Sequence, residues 1–424
     1  MREAGPIGVA AALTVVPLCV CLASAPAAAD PVARGDDDAP ADGIRFRCDD
    51  ARLATAESDM DAYLASLGIP GRLFTRRKAA HTLTYALRTP AHDTDTLTLS
   101  RRPELGIGRE RVRLAGKGGK AVETVSKKEI VLALLQHGRL TEFAGDACTV
   151  AALKEHVGIR QDTVAWAGRL RWRWPDGGPA RWNGWYWAHG APRRGIALHT
   201  AVGDAFRNQR AYAIGCYAAS KLTMMQGVLD YFWRVDRDAG KQALAEARLL
   251  ADCNPLEDVE PGRMWEAEPD FDPVEGDRAG KLLRITSGIP PDNFVPGDWS
   301  YFLNTDPATH RKTGFEGSNA IYLGMGRFAD YYDENRHGYT FREKLDEVFQ
   351  WRNGVFSRSR DSAKARPLTA RDIERLGRTP REGGLLLDVR ATPYYFGFER
   401  LPAGTEVSQV AGANATRGTH LDCR

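Results

Sequence analysis

The chain has 424 residues, 43% hydrophobic and 27% charged, with a formal net charge of +3. That length and composition set one or two globular domains with a sizeable core. The basic residues are spread rather than clustered, so neither a nucleic-acid partner nor an anionic membrane surface is indicated.

The N-terminus reads as an export signal. Arg2 is followed by an apolar run from Ile7 to Leu22 and then by Ala23-Ser24-Ala25-Pro26-Ala27-Ala28-Ala29, an Ala-x-Ala pattern with expected cleavage after Ala29. The run is short and interrupted by Pro17, which argues against a membrane anchor. Residues 30–43 are acidic and rich in Ala and Pro, a disordered linker. No other stretch is long and apolar enough to span a membrane, so the expected location is secreted or periplasmic.

Export changes the cysteine arithmetic. Removing Cys19 and Cys21 with the leader leaves Cys48, Cys148, Cys216, Cys253 and Cys423. An odd number in a disulfide-permitting compartment leaves one free thiol. The preferred pairing is Cys48 with Cys423 and Cys148 with Cys253, which frees Cys216. There is no Cys-x-x-Cys, and the nine histidines show no zinc spacing. No metal or other cofactor is expected.

Residues 44–195 read as an α+β region that binds or scaffolds. A helix is expected over Ala51–Leu67, ended by Gly68 and Pro70. Short strands come next at His81–Leu87, Thr94–Ser100 and Arg109–Leu114, with a turn at Gly118-Gly119. Ser126-Lys127-Lys128-Glu129 has the form of a capping box ahead of the apolar run Ile130–Leu135, closed by Gly138. Thr149–Val157 is a further helix. Trp166, Trp172, Trp174, Trp182, Trp185, Tyr186 and Trp187 then alternate with arginines. This block has three readings: core and inter-domain packing, the lining of a substrate groove, or a polysaccharide platform.

Ala201–Gln209 is a short helix leading into Gly215-Cys216-Tyr217. Ala218, Leu222, Met225, Leu229 and Phe232 fall on one face of a long helix. A thiol at its first turn meets the positive end of the helix dipole and unpaired N–H groups, which favours the thiolate. The competing reading is a small buried residue in a helix–helix contact. The long helix should run out over Arg234–Asp238 and break at Gly240, before a second helix at Gln242–Leu250. An acidic loop occupies Asn254–Gly276. Val295-Pro296-Gly297-Asp298 is a turn before a strand at Trp299–Phe302, with Asp298 capping the turn. Gly314–Gly324 is the next strand, turned at Met325-Gly326, and Phe341–Trp351 is a helix. The order of thiol helix, paired strands and closing helix is α+β and compatible with a papain-like thiol enzyme.

From about His199 to Arg352 the chain resembles the bacterial protein-glutamine gamma-glutamyltransferases of the spore-coat Tgl type. The resemblance rests on Ala205-Phe206-Arg207-Asn208-Gln209, Gly215-Cys216-Tyr217-Ala218-Ala219, Pro296-Gly297-Asp298 with Tyr301-Phe302, Asn319-Ala320-Ile321-Tyr322-Leu323-Gly324, and His337-Gly338. It implies a papain-like, NlpC-like core over 196–355; the extra α+β region at 44–195 and the C-terminal extension at 356–424 are not explained by it. It further implies a metal-independent acyltransferase whose Cys216 attacks protein glutamine and passes the acyl group to lysine or water. The partners it implies are proteins with accessible glutamine and lysine.

Two positions depart from the family pattern. Gly215 stands where the family has an acidic residue, and Ser318 stands where it has a catalytic Glu. Glu316, two residues earlier on an extended strand, and His337 are the candidate bases; a third possibility is that neither serves. Gly215, Tyr217, Ser318 and Asn319 are candidate supporting or oxyanion residues. The alternatives are a papain-like amidase or peptidase, and a non-catalytic binding protein on a degenerate transglutaminase fold.

Overall fold

The computed structural model describes residues 42–114, 121–168, 170–188, 190–250, 283–332, 338–355 and 365–393. The expected leader, the acidic linker as far as Ala41, the Gly118-Gly119 turn, the acidic loop, His337 and most of the C-terminal extension lie outside these residues, and Gly43, expected at the end of the linker, is the first residue of a strand. The described residues contain no helix long and apolar enough to cross a membrane.

The architecture is mixed α+β. The first sheet has the order β2-β3-β1-β6, built from β1 (Gly43–Arg47), β2 (Phe74–Ala79), β3 (Thr82–Leu87) and β6 (Leu140–Ala144). β1 runs antiparallel to β3 and parallel to β6. Helix α1 (Asp50–Ser66) buries Leu53, Met60 and Leu64 in the core. Asp49 caps it by accepting from the Arg52 backbone N–H, which satisfies one of the orphan donors of the first turn. The Thr94–Ser100 segment forms turns instead of the expected strand. Asp95 accepts from the Thr98 backbone N–H at 3.2 Å, and Arg102 grips Asp93 at 2.8 and 3.0 Å. Those local bonds compete with a ladder. A separate hairpin pairs β4 (Arg109–Arg113) with β5 (Ala121–Val125).

Helix α2 (Lys127–Leu135) makes half of its expected capping box. Ser126 accepts from the Glu129 backbone N–H at 3.2 Å. The Glu129 carboxylate instead crosses to the far sheet and accepts from the Met325 backbone N–H at 2.5 Å. Helix α3 (Val150–Ala167) runs well beyond Val157, and almost all of its later residues are buried.

Helix α4 (Leu198–Arg207) precedes α5 (Cys216–Asp230), which passes into a π-helical segment at Tyr231–Asp236. The break before α6 (Ala239–Leu250) falls at Arg237, with φ of 58°, and Gly240 lies inside the first turn of α6. α3 and α5 lie side by side. A Cβ on Gly227 of α5 would fall 2.2 Å from the Thr163 hydroxyl of α3, so only glycine permits this approach.

The second sheet has the order β13-β12-β11-β10-β14-β9. Its strands are β9 (Leu283–Thr286), β10 (Trp299–Leu303), β11 (Gly317–Gly324), β12 (Arg327–Phe328), β13 (Tyr339–Thr340) and β14 (Arg390–Pro393); β7 (Trp187–Ala188) and β8 (Ala191–Pro192) form a small hairpin elsewhere. In the β10–β11 register Trp299 faces Ile321, Tyr301 faces Asn319 and Phe302 faces Ser318. Successive side chains alternate faces. Trp299 and Ile321 join the main core with α3 and α5. Phe302 and Ala320 join a second core under α7 (Phe341–Arg352) and α8 (Ala370–Leu376).

The region before residue 196 shares the main core with the helices and strands beyond it. Its strongest polar tie is Asp298, fully buried, whose carboxylate meets Arg160 at 2.9 Å and Arg139 at 2.7 Å. The same carboxylate accepts from the Val295 backbone N–H at 2.8 Å, so Asp298 does cap its turn. Burial alone would raise its pKa, but the two guanidiniums override that and hold it below the ordinary carboxylate value.

The cysteine pairing differs from the sequence expectation. Cys48 is joined to Cys148, 100 residues later, and Cys216 is free. The bond ties the end of β1 to the loop before α3, residues that the β1–β6 pairing already brings together. Cys253 and Cys423 lie outside the described residues. Of the aromatic block, Trp166, Trp172 and Trp187 are core residues, whereas Trp185 is 84% exposed.

Candidate active site around Cys216

Cys216 is the first residue of α5, with Gly215 at the N-cap. The helix end meets the middle of β11. The Cys216 Sγ accepts from the Asn319 backbone N–H and from the Asn319 side-chain Nδ2, each at 3.4 Å. As a thiol it also faces the Gly317 carbonyl at 3.9 Å. Two N–H donors on one sulfur suit an atom that carries negative charge. The first-turn N–H groups of α5 add a third source of positive potential.

Asn319 is held from its other end. Trp299 Nε1 donates to Asn319 Oδ1 at 2.8 Å. The indole of Trp299 packs against Tyr217, the residue after the cysteine, with ring centroids 5.3 Å apart. Tyr301 lies on the same face of β10, and its ring covers the start of β11. A Cβ on Gly317 would fall 2.4 Å from the Tyr301 hydroxyl. Burial pushes the Tyr301 phenol well above its ordinary pKa, and the nearby Cys216 and Glu316 charges push in the same direction. That phenol stays neutral and keeps its proton. One helical turn into α5, Ser220 Oγ shares a 2.7 Å hydrogen bond with the Tyr331 hydroxyl, which in turn accepts from the Ile321 backbone N–H. This bond pins α5 to β11.

Ser318 faces the other way. Its hydroxyl lies under α7, where Lys344 Nζ donates to it at 2.6 Å and it donates to Glu347 at 3.1 Å. Lys344 and Glu347 form an ion pair at 2.5 Å, and both are buried. The strand position expected to hold a base therefore points away from the sulfur. Glu316 lies just before β11 and is half-buried. Its backbone carbonyl accepts from Asn304 at 2.8 Å, and among the described residues its carboxylate makes no hydrogen bond to Cys216. Gly215 has open space where a side chain would project. Of the residues singled out in sequence, Cys216, Gly215, Tyr217 and Asn319 come together; Ser318 turns to the opposite face; His337 is not described. Among the described residues no group of three or more His, Cys, Asp and Glu could hold a metal ion.

Trp299, Tyr301, Ser220, Tyr331, Lys344 and Glu347 were not singled out as site residues. Trp299 and Tyr301 had a signal, because they alternate in the strand after the Pro-Gly-Asp turn. Lys344 and Glu347 had none, since a Lys–Glu pair one turn apart reads as solvated helix surface.

The family model for protein-glutamine gamma-glutamyltransferase (TGL) matches residues 149–348, spanning Cys216, Trp299 and Asn319. Over this segment the chain is similar to that family. The match begins at α3, the helix that packs along α5. Among solved structures, the transglutaminase from Geobacillus stearothermophilus (without its C-terminal extension) aligns at 19% identity with a TM-score of 0.34. The alignment covers 60% of this chain and 96% of that one. No curated protein matches the chain in sequence. The family-model match supports a transglutaminase-like acyltransferase function with protein substrates.

Proposed function

We propose that the protein is an exported protein-glutamine gamma-glutamyltransferase that works through a Cys216 thioester on a papain-like, NlpC-like core. The observation that carries this reading is the Cys216 sulfur at the head of α5, facing two Asn319 N–H donors inside the family-matched segment.

In the first half-reaction the Cys216 thiolate attacks the side-chain carboxamide carbon of a glutamine. The carbonyl oxygen becomes an oxyanion, for which the α5 first-turn N–H groups are the nearest preorganised donors. The C–N bond breaks, the leaving NH2 group takes the proton that the Cys216 thiol gave up to the base, and ammonia and a thioester result. In the second half-reaction a lysine amine attacks the thioester carbon and Cys216 leaves as thiolate, giving an isopeptide bond. Water in place of the amine gives glutamate from the same thioester. Glu316 and His337 are the candidate groups for moving the protons. The Cys48–Cys148 disulfide fits an oxidising location outside the cytoplasm.

The test is amine incorporation into casein by the oxidised protein, with ammonia release measured in parallel. Labelled amine in casein together with ammonia supports the transferase. Ammonia or peptide release without amine incorporation supports an amidase or peptidase. Neither product, with Cys216→Ala indistinguishable from the wild type, leaves a binding protein.

A further inference from the structure

We infer that Trp299 is a positioning residue for the nucleophile: its indole N–H fixes the Asn319 carboxamide so that the amide nitrogen, not the oxygen, is turned to the Cys216 sulfur. This rests on the reading of Cys216 as the nucleophile.

The argument is one of hydrogen-bond sense. An indole N–H donates and cannot accept. Trp299 Nε1 lies 2.8 Å from the terminal amide of Asn319, and both side chains are buried. The atom facing the indole must therefore be the carbonyl oxygen, because an NH2 group there would leave two buried donors opposed. With Oδ1 committed, Nδ2 is the atom that remains for Sγ, at 3.4 Å. The reverse orientation would present a carbonyl oxygen to the sulfur and repel a thiolate. One donor-only group thus selects the orientation of the amide that suits the charged nucleophile.

The indole is itself held in place. Trp299 lies on β10 two residues before Tyr301, on the face toward α5. Its ring packs on Tyr217, so the residue after the cysteine and the residue that orients Asn319 are in contact. The backbone N–H of Asn319 reaches the sulfur without help from Trp299. Loss of the indole bond should weaken one of the two strand donors and leave the other.

The test is the rate of Cys216 alkylation by iodoacetamide at neutral pH, read by mass spectrometry, alongside kcat and KM for amine incorporation. Trp299→Phe and Asn319→Ala should each slow alkylation by about five- to tenfold, the scale of one net hydrogen bond. The decisive result is the double variant: Trp299→Phe in the Asn319→Ala background should have no further effect. In the transferase assay the loss should fall on kcat and leave KM unchanged. Trp299→His, which keeps a ring N–H, should recover part of the rate, and Trp299→Leu replaces the Phe variant if that fails to fold. Asn319→Asp keeps the shape and the indole bond but offers oxygen to the sulfur, and should alkylate more slowly than wild type. Equal slowing by Trp299→Phe in both backgrounds, or an Asn319→Asp protein that alkylates at the wild-type rate, overturns the inference. A wild type that alkylates readily but incorporates no amine would defeat the transglutaminase reading alone, since the alkylation cycle still reports on Trp299.

Discussion

Arg160 on α3 and Asp298 in the turn before β10 meet at 2.9 Å with both side chains almost wholly buried. Arg139, just before β6, approaches the same carboxylate at 2.7 Å. Segments that precede and follow the Cys216 helix in sequence are thus tied through one buried charge. Removing it should be costly because two guanidiniums would be left facing each other out of water. Asp298→Asn should lose about 3–5 kcal/mol in urea unfolding, the scale for breaking a buried ion pair from one side. The folded pKa of Asp298 lies below its ordinary 3.8, so its contribution is present above that value and is lost as the pH falls through the folded pKa. The gap between wild type and Asp298→Asn should close in acid.

Glu129 gives the opposite sign. Burial raises its carboxyl from 4.5 to about 7, partly offset by the Met325 N–H and by Arg109. Between these two values the folded chain holds a proton that the unfolded chain has released, so stability falls as the pH rises through that window. The cost at high pH is about 3 kcal/mol, at roughly 1.4 per pKa unit. Glu129→Gln keeps the acceptor for Met325 and removes the charge. Thermal unfolding should show the variant and wild type alike near pH 4, and the variant the more stable at pH 8.

The buried Lys344–Glu347 pair under β11 should behave as a unit. Lys344→Met leaves the Glu347 carboxylate and the Ser318 hydroxyl beneath the strand without their cation, and should cost about 3–5 kcal/mol. Lys344→Met with Glu347→Leu should cost less than the sum of the single changes, because a buried pair can be exchanged for apolar packing. A double-mutant cycle by chemical denaturation checks this.

The Cys48–Cys148 bond closes a long loop. Replacing both cysteines with serine should lower stability by about 2–4 kcal/mol, mainly through the unfolded chain. Cys216 alkylation in the folded variant should be unchanged, since neither residue touches the site.

Much of the fold is legible from residues alone where the signal is local. The helix over Asp50–Ser66, the thiol at the head of α5, the Pro-Gly-Asp turn, and the β11 and α7 segments all come from period, caps and turn residues. The misplaced readings have tertiary causes. Thr94–Ser100 has strand-like residues, but Asp93 and Asp95 draw it into turns. The disulfide pairing escapes the sequence because β1 and β6 are neighbours only through a parallel pairing that no local pattern reveals. The Ser318 departure gains its meaning from the pleat: the strand turns that position toward α7 and gives the sulfur Asn319. Trp299 is visible as a strand residue, yet its role depends on a partner on the next strand.

The central claim is that Cys216 forms an acyl intermediate with glutamine. Intact-mass measurement of the oxidised protein with a glutamine-containing peptide and no amine tests it most directly. The account predicts an adduct on Cys216 equal to the peptide less ammonia, discharged when amine is added and absent in Cys216→Ala. A wild-type protein that stays at its unmodified mass, while its thiol alkylates freely and the peptide is unchanged, would contradict it.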